Sequence, residues 1–506
     1  MKRIDQFLNL ITMYRLLVSG LLVLAVYSVI LASVGILPNS GFSYVLSLII
    51  LLPAGYWSNY FWAKIFQAPV NSESTFITSL ILFFILSPAV TPIDGGILFF
   101  ASVLASSSKY FLALEQRHLF NPAAIAVFLL SLFGSGNAIW WVASPWLIIP
   151  VLIFGLMVVH KLRLRSLFLS FVLSSIFLVL FISWPINLVG FGTIVQERFI
   201  SWPLIFLGTV MLTEPFTLPP HRRQQVVYGI IVAFFSTIPF NFGLIYSTPE
   251  LALILGNIFS YFVAFKRRVI LTLSSVKNLA KDIYEFSFYP SRPFSFLPGQ
   301  YMEWTLAHRN SDSRGDRRYF TIASSPTEGE IKLGLKFSNP TSSFKSHLKS
   351  FNLGDKIVAG QLAGDFVLPK DSNKRLVFIA GGIGVTPFRS MLKYLIDCQE
   401  KRNVILFYSA KTELEFAYRD VFSEAEREIG LKTVYLITEQ KPGLEIGDNF
   451  RLGFITAELI KKEVADYPQC LFYLSGPSVM VQSYLKLLKS LKIPRSQIVT
   501  DYFPGF

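Results

Sequence analysis

The apolar positions of this chain follow two different rhythms. Up to about residue 265, long apolar runs succeed one another with short polar joints, whereas beyond it short alternating or wholly apolar runs are separated by turn residues. The first rhythm predicts helices at roughly 15–37, 43–63, 75–92, 95–112, 119–134, 144–160, 166–184, 202–217, 224–240 and 249–265, about ten membrane spans in all. Several fall short of the ~20 residues of a typical span, which suggests tilt, breaks or re-entrant segments. The second rhythm predicts strands at Val269–Leu273, Val404–Tyr408, Thr433–Ile437 and Leu471–Leu474, with helices between the later ones.

Composition sharpens this division. Over 506 residues, 52% are hydrophobic and only 15% charged, against about 25% charged in ordinary globular chains. Seven acidic residues lie in 1–265 and twenty-five in 266–506. The net charge of +14 is accounted for by basic membrane-facing loops, so a nucleic-acid partner is not expected and a lipid bilayer is. Alternate joints carry Lys2/Arg3, Lys64, Lys109/Arg117, Lys161/Arg163/Arg165, Arg222/Arg223 and Lys266–Arg268. The intervening joints carry Asp94, Glu197/Arg198 and Glu250 or little charge, a pattern that places both termini in the cytoplasm of a multi-pass inner-membrane protein. The basic cluster at 266–268 marks the junction, giving an expected transmembrane domain at 1–265 and a soluble part at 266–506.

Cysteine and histidine restrict the chemistry. Two cysteines, Cys398 and Cys470, are too few for an iron–sulfur cluster of about four thiolates or a structural zinc of about four ligands, so no metal site is expected. They also fit a reducing compartment. Redox chemistry is then left to organic cofactors or haem.

Two polar stretches interrupt the apolar half. Arg117-His118-Leu119-Phe120-Asn121-Pro122-Ala123-Ala124 opens a helix, and Thr213-Glu214-Pro215-Phe216-Thr217-Leu218-Pro219-Pro220 breaks one. Glu214, the clear acid well within the apolar runs, requires a partner or a function there; the plain alternative is a pair of helix ends at the interface. These stretches resemble the paired Phe-Asn-Pro-Ala and Thr-Asp-Pro-x-Thr motifs of flavin-bearing membrane subunits, namely the B subunit of the sodium-pumping NADH:quinone reductase and the D subunit of the Rnf complex. The resemblance covers residues 40 to 265 and implies that Asn121, Glu214 and Thr217 line a flavin or quinone pocket. Glu214 stands where the family has Asp. No Ser-Gly-Ala-Thr-like segment, through which the family attaches FMN, lies between the motifs, so an FMN or riboflavin here is expected to be non-covalent.

The soluble part carries sharper motifs. Phe296-Leu297-Pro298-Gly299-Gln300-Tyr301 is followed by Arg318-Tyr319-Phe320-Thr321, where a cation, aromatic rings and a hydroxyl suit the pyrophosphate, ring and ring edge of a flavin dinucleotide. Asn339-Pro340-Thr341-Ser342-Ser343-Phe344-Lys345 is a hydroxyl-rich turn entering a helix. Arg375–Ala380 reads as a buried strand, Gly381-Gly382-Ile383-Gly384-Val385-Thr386-Pro387 as a glycine turn and Phe388–Leu395 as a helix start, the arrangement that holds a dinucleotide pyrophosphate. The strand at 471–474 runs into Ser475-Gly476-Pro477, and the chain closes on Asp501-Tyr502-Phe503-Pro504-Gly505-Phe506.

In this order the motifs resemble the ferredoxin–NADP reductase family over residues 268 to 506. The resemblance implies an antiparallel β-barrel FAD domain at 266–370 and an α/β NAD(P)-binding domain at 371–506. It implies that Arg318, Tyr319, Phe320, Thr321 and Ser343 hold FAD. It likewise implies that Gly382, Gly384, Thr386, Pro387, Gly476 and Pro477 shape the nucleotide site, with Thr321, Ser475 and Phe506 nearest the chemistry. Ser475 replaces a Cys common in the family. The segment Tyr408–Thr412 offers Lys411 to a 2′-phosphate and no acid to a free 2′-hydroxyl, so NADH and NADPH both remain open as substrates.

The expected fold is therefore a polytopic helical membrane bundle fused to a two-domain reductase. The expected function is an FAD-dependent NAD(P)H oxidoreductase that passes electrons to a quinone, a bound flavin or another acceptor in the membrane. A redox-driven cation transporter is the alternative of a different class, with Glu214 its thin support. A haem-based ferric reductase or NADPH-oxidase-like enzyme is disfavoured: two stacked haems need two histidine pairs, and the apolar half has only His118, His160 and His221. A bundle that serves merely as an anchor would need only one or two spans.

Overall fold

The computed structural model describes residues 8, 11–66, 72–114, 117–134, 138–184, 202–243, 245–263, 268–306, 308, 317–337, 341–439 and 450–501. Lys2, Arg3, Glu197, Arg198, Lys266, Arg267, Asn339, Pro340 and Tyr502 through Phe506 lie outside them. The chain divides into two compact units, Met1–Ala264 and Phe265–Phe506.

The first unit is helical: α1 Met13–Ser33, α2 Gly41–Ile65, α3 Ser72–Ile85, α4 Pro92–Phe111, α5 Pro122–Leu132, α6 Ile148–Leu162, α7 Arg165–Ile182, α8 Arg222–Thr237 and α9 Pro249–Val263. Between α7 and α8, a single turn at Leu204–Phe206 runs into a π-helical stretch at Leu207–Met211. Helix starts follow capping chemistry. Thr91 and Asp94 form a reciprocal box at α4, and the Asn121 side chain accepts from the N–H groups of Ala123 and Ala124 at α5, with Pro122 in the first turn.

Each apolar run does carry helix, but the expectation of about ten spans is corrected. Among the described residues, three helices are long and apolar enough to cross a membrane: α1, α2 and α7. Helices α3, α5, α6 and α9 are apolar but have 14, 11, 15 and 15 residues. At 1.5 Å per residue they reach roughly 16–23 Å, less than the ~30 Å hydrocarbon core. Helix α4 is long enough but carries Ser102, Ser106, Ser107, Ser108 and Lys109. Those hydroxyls serve packing: Ser102 Oγ donates to the Leu51 carbonyl at 2.8 Å and Ser106 Oγ to that of Gly55 at 3.1 Å. A Cβ on Gly55 would lie 2.4 Å from Ser79 Oγ, so small residues let α2, α3 and α4 approach closely.

The second unit holds two six-stranded sheets. The first comprises β1 Val269–Ala280, β2 Ile283–Pro290, β3 Tyr301–Thr305, β4 Arg317–Thr321, β5 Ile331–Lys336 and, after the short helix α10 Ser343–Lys349, β6 Lys356–Ala363. Its order is β4-β3-β6-β1-β2-β5, antiparallel throughout. Beyond β4 the chain turns back on β5, with the Ala323 N–H donating to the Lys332 carbonyl at 2.8 Å. Trp304, Phe286, Phe288 and Leu333 fill its core.

The second sheet is parallel, built from β7 Leu376–Gly381, α11 Thr386–Asp397, β8 Val404–Ala410, α12 Arg419–Ile429, β9 Lys432–Ile437, β10 Phe450–Leu452, α13 Ala457–Glu463, β11 Leu471–Ser475, α14 Ser478–Ser490 and β12 Ile498–Asp501. Every residue of β7 and β8 is buried, as strands covered by helices on both faces require. The order β10-β9-β8-β7-β11-β12 makes the chain leave β7 towards β8 and return on its other side as β11. The gap beyond the carboxyl ends of β7 and β11 is a topological switch point, where open α/β sheets bind ligands.

Candidate functional site

Three glycines make this switch point. A Cβ on Gly384 would meet the Gly476 Cα at 2.5 Å and one on Gly381 the Met480 Sδ at 2.2 Å, so the turns after β7 and β11 touch backbone to backbone. Gly382 has φ +53° and open space where a Cβ would stand. It is glycine for its conformation and leaves its outer face clear for a ligand. Thr386 and Pro387 open α11, and the Thr386 hydroxyl donates to the Ile383 carbonyl at 3.2 Å, bracing the turn. Ser475 is buried at the end of β11, beside Gly476 and Pro477.

Beside this edge stands β4. Ser475 pairs with Asp501 across β11 and β12, and the Thr321 hydroxyl lies 3.5 Å from Asp501 Oδ2. Thr321 through its hydroxyl and Ser475 through its place in the strand pairing, both expected nearest the chemistry, therefore adjoin the same residue from different sheets. Burial, then Asp501 and Asp365, pushes the Tyr301 phenol up to about 12, so it stays protonated. Phe506, the third residue expected here, lies outside the described residues.

Strand alternation sorts the remaining flavin candidates. Arg318 and Phe320 share a face with α10: the Arg318 guanidinium carbon is 5.6 Å from the Phe344 ring centre and the Phe320 ring is also 5.6 Å from it. Ser343 precedes Phe344 at the start of that helix. Tyr319 projects from the other face, donating to Glu303 Oε2 at 2.9 Å and to Gln361 Oε1 at 3.2 Å. The structure thus brings Arg318, Phe320 and Ser343 together and sets Tyr319 apart from them.

The two sheets are joined by a pair that sequence reasoning missed. Arg389 of α11, 4% exposed, binds Glu328 of the turn after β4 through two bonds, one of 2.9 Å to Oε1. Burial works to raise the Glu328 carboxyl, but hydrogen bonds from Arg389, Ser325 and Lys332 outweigh it and bring it down to about 2. A Cβ on Gly334 of β5 would strike the Tyr418 hydroxyl at 2.4 Å and Thr386 Cγ2 at 2.8 Å, a second close approach across the same seam.

The segment Tyr408–Thr412 holds no acid, as its sequence states, but the fold brings one to it from beyond β9. Lys411, just past β8, is paired at 2.7 Å with Glu439, just past β9. The Glu439 N–H also donates to the Lys411 carbonyl at 2.9 Å, which fixes the two backbones side by side.

In the helical unit the two polar stretches converge across 96 residues. His118 Nε2 lies 2.8 Å from Glu214 Oε1, and the His118 and Phe216 rings meet edge-on at 5.1 Å. The Asn121 N–H donates to Asn257 Oδ1 at 2.9 Å, and Asn257 Nδ2 to the Tyr228 hydroxyl at 2.8 Å. The Thr217 hydroxyl donates to the Glu214 carbonyl at 3.2 Å. Asn257 and Tyr228 were missed, although an Asn in the apolar run Pro249–Val263 is itself a signal. Glu214, partly buried, is not the only acid among these helices: Glu250, 2% exposed, accepts from Trp140 Nε1 at 2.7 Å.

Comparison with known proteins bears on the second unit. Residues 378–486 match the oxidoreductase NAD-binding domain family. The flavohemoprotein of Oceanobacillus iheyensis is 27% identical over 231 residues, 44% of this chain and 56% of that protein. One subunit of the Na(+)-translocating NADH-quinone reductase of Yersinia pestis is 29% identical over 204 residues, 37% of this chain and 49% of that protein. Among solved structures, the flavohem-like FAD/NAD-binding domain of nitric oxide dioxygenase from Vibrio cholerae is 20% identical at a TM-score of 0.42, over 46% of this chain and 98% of that one. The chain spans about half the length of the curated relatives it matches. The carboxyl-terminal half thus contains a ferredoxin–NADP reductase-like NAD-binding domain. The resemblance of residues 40 to 265 to membrane subunits rests on its two motifs alone.

Proposed function

We propose that this chain is a membrane-bound NAD(P)H oxidoreductase that takes electrons through FAD in its second unit and delivers them to a quinone or bound flavin in its first. The observation that carries this reading is the contact of the Gly381–Gly384 and Ser475–Pro477 turns at a switch point, with Thr321 reaching the same edge through Asp501. The residues present fit a flavin dinucleotide. Arg318 supplies the cation for a pyrophosphate and Phe320 an apolar wall, while Ser343 adds a hydroxyl and Thr321 a hydrogen-bonding group at the ring edge. The open face of Gly382 and the backbone at Gly384 accept the dinucleotide substrate, beside Thr386 and Pro387. Bound FAD supplies the conversion of a hydride into single electrons. The chain's own part is to align the two rings, through Thr321, Ser475 and the Gly476-Pro477 turn, and to keep water from between them.

Tested directly, the full chain purified in detergent carries extractable FAD, and its flavin absorbance bleaches on anaerobic addition of NADH or NADPH. Absence of FAD, or a flavin that neither nucleotide bleaches, refutes the reading. Asn121, Glu214 and Thr217 belong in this proposal to the acceptor site, with FMN, riboflavin or quinone as occupant. We place both termini and the second unit on the cytoplasmic side of the cell membrane. A second reading, redox-driven cation movement, is favoured by the buried Glu250 in addition to Glu214. Cation uptake by proteoliposomes during NADH oxidation decides it.

A further inference from the structure

We propose that Glu214 and His118 form a proton-delivery site for a quinone: Glu214 is the catalytic acid at the quinone oxygen and His118 the residue that positions and recharges it. This rests on the proposed delivery of electrons to the first unit. The geometry is a carboxylate used on one side only. Glu214 Oε1 is held by His118 Nε2 at 2.8 Å, whereas Oε2 is buried and has no hydrogen-bond partner among the described residues. A bare buried carboxylate oxygen is costly and calls for a proton, a water or a ligand donor.

The neighbours do not fill that role. Lys109 of α4 and Tyr228 of α8 are within electrostatic reach of Glu214. The Lys109 ammonium bonds to the Ser74 carbonyl and hydroxyl, each at 3.1 Å, the Tyr228 hydroxyl accepts from the Asn257 amide, and neither donates to Oε2. Phe216 closes the His118 side with an apolar ring. The His118 side chain is 11% exposed and that of Glu214 is 21%, so the pair is sheltered yet reachable. A proton on Oε2 removes the cost of the bare oxygen and leaves an O–H aimed away from His118.

Quinone reduction requires such a donor. Each carbonyl takes one electron and one proton, its C=O π bond giving way to a C–O single bond and an O–H; the two electrons come from NAD(P)H through the second unit. One proton leaves Glu214 Oε2 for the nearer quinone oxygen; the His118 imidazole returns a proton to Oε1, a turn of the carboxyl group brings that O–H to the quinone side, and the imidazole is replenished from water. The other quinone oxygen takes its proton from water. Each proton that leaves Glu214 is replaced through His118, so the carboxyl–imidazole pair returns to its starting charge after every transfer.

The test uses the full chain in nanodiscs, with ubiquinone-1 and ferricyanide as alternative acceptors of electrons from NADH. His118→Gln and Glu214→Gln each lower the quinone-to-ferricyanide rate ratio about a hundredfold, the usual scale of a positioned proton donor. Glu214→Asp, which keeps a carboxylate, retains the ratio within about tenfold of wild type. Ubiquinone-1 binding without NADH, read as quenching of tryptophan fluorescence, persists in His118→Gln within about threefold, separating proton delivery from loss of the pocket. A ratio within about threefold of wild type in either Gln variant overturns the inference. A wild-type protein that reduces ferricyanide but no quinone instead overturns the acceptor proposed above, and this inference with it.

Discussion

Helices α7 and α12 are packed by the same rule and finished by opposite ones. In α7, Leu167, Phe171, Ser175 and Val179 face inward at every fourth residue, while Leu169, Leu173, Phe177 and Phe181 face outward at 52, 61, 66 and 71% exposure. In α12, Val421, Phe422, Ala425 and Ile429 face inward, but the outward positions are Arg419, Asp420, Glu426, Arg427 and Glu428. Inward faces alone would not tell the two environments apart. The outer face differs: α7 is long and apolar enough to cross a membrane, and an apolar stripe of that length is a liability in water but a solvent match in lipid.

The largest expected effect breaks this contrast directly. Phe177→Asp places a carboxylate on the outer face of α7, a cost of about 3 kcal/mol for a helix that crosses lipid. Glu428→Ala on the outer face of α12 stays within about 0.5 kcal/mol. Membrane-fraction yield and thermal unfolding in nanodiscs check both, and equal effects would remove the argument that α7 meets lipid.

The second contrast concerns where each unit keeps its polar chemistry: in the second at glycine turns on a sheet edge, in the first in the interior between helices. Gly384→Val forces a side chain into the Gly476 backbone, which lies 2.5 Å from the Cβ position. Flavin bleaching by NADH then falls about a hundredfold in kcat/KM, about 2.7 kcal/mol, because the whole turn must shift. FAD content remains near wild type, since Arg318, Phe320 and Ser343 lie on the other sheet and α10. Stopped-flow absorbance and flavin extraction read the two quantities separately.

These contrasts also explain what could be read from the chain. The turn at Gly381–Gly384 was legible because a strand, a glycine turn and a helix are contiguous, and the local pattern contains the whole device. The Thr321–Asp501 approach was not legible, since 180 residues separate its ends and only the pairing of β11 with β12 places Asp501 there. Hydropathy located the helices of the first unit but overcounted spans. A window sums side chains and does not register where a proline or a π-helical stretch ends a helix, nor that serines such as Ser102 are satisfied inside. Asn121 and Glu214 stood out as polar interruptions; their partners Asn257 and His118 required the fold.

Acid tests the seam between the two sheets. Because the Glu328 carboxyl sits at about 2 when folded against 4.5 as its ordinary value, the pair contributes fully above about pH 4.5 and is lost as the pH falls towards 2. Glu328→Gln leaves Arg389 buried without its countercharge. It lowers stability by about 2 kcal/mol near neutrality, with the difference from wild type closing on acidification through that window. FAD fluorescence released on heating the full chain follows the transition; a difference constant with pH would show that the pair is not the source.

The smallest effect lies at the edge of the crevice, where an acid from β9 answers a base from β8. In the proposed enzyme Glu439 neutralises Lys411 and leaves a carboxylate where a 2′-phosphate would approach, so NADH is preferred to NADPH. Both side chains are about 60% exposed, and water and salt therefore weaken the selection. Glu439→Gln frees Lys411 for the phosphate and shifts the NADH-to-NADPH ratio of kcat/KM about fivefold towards NADPH at low ionic strength. Lys411→Gln shifts it the opposite way by a smaller factor. The Glu439→Gln shift shrinks at high salt, where a steric cause would persist. An unchanged ratio in Glu439→Gln would leave Lys411 and Glu439 an ordinary solvated pair and return nucleotide choice to the glycine turn itself.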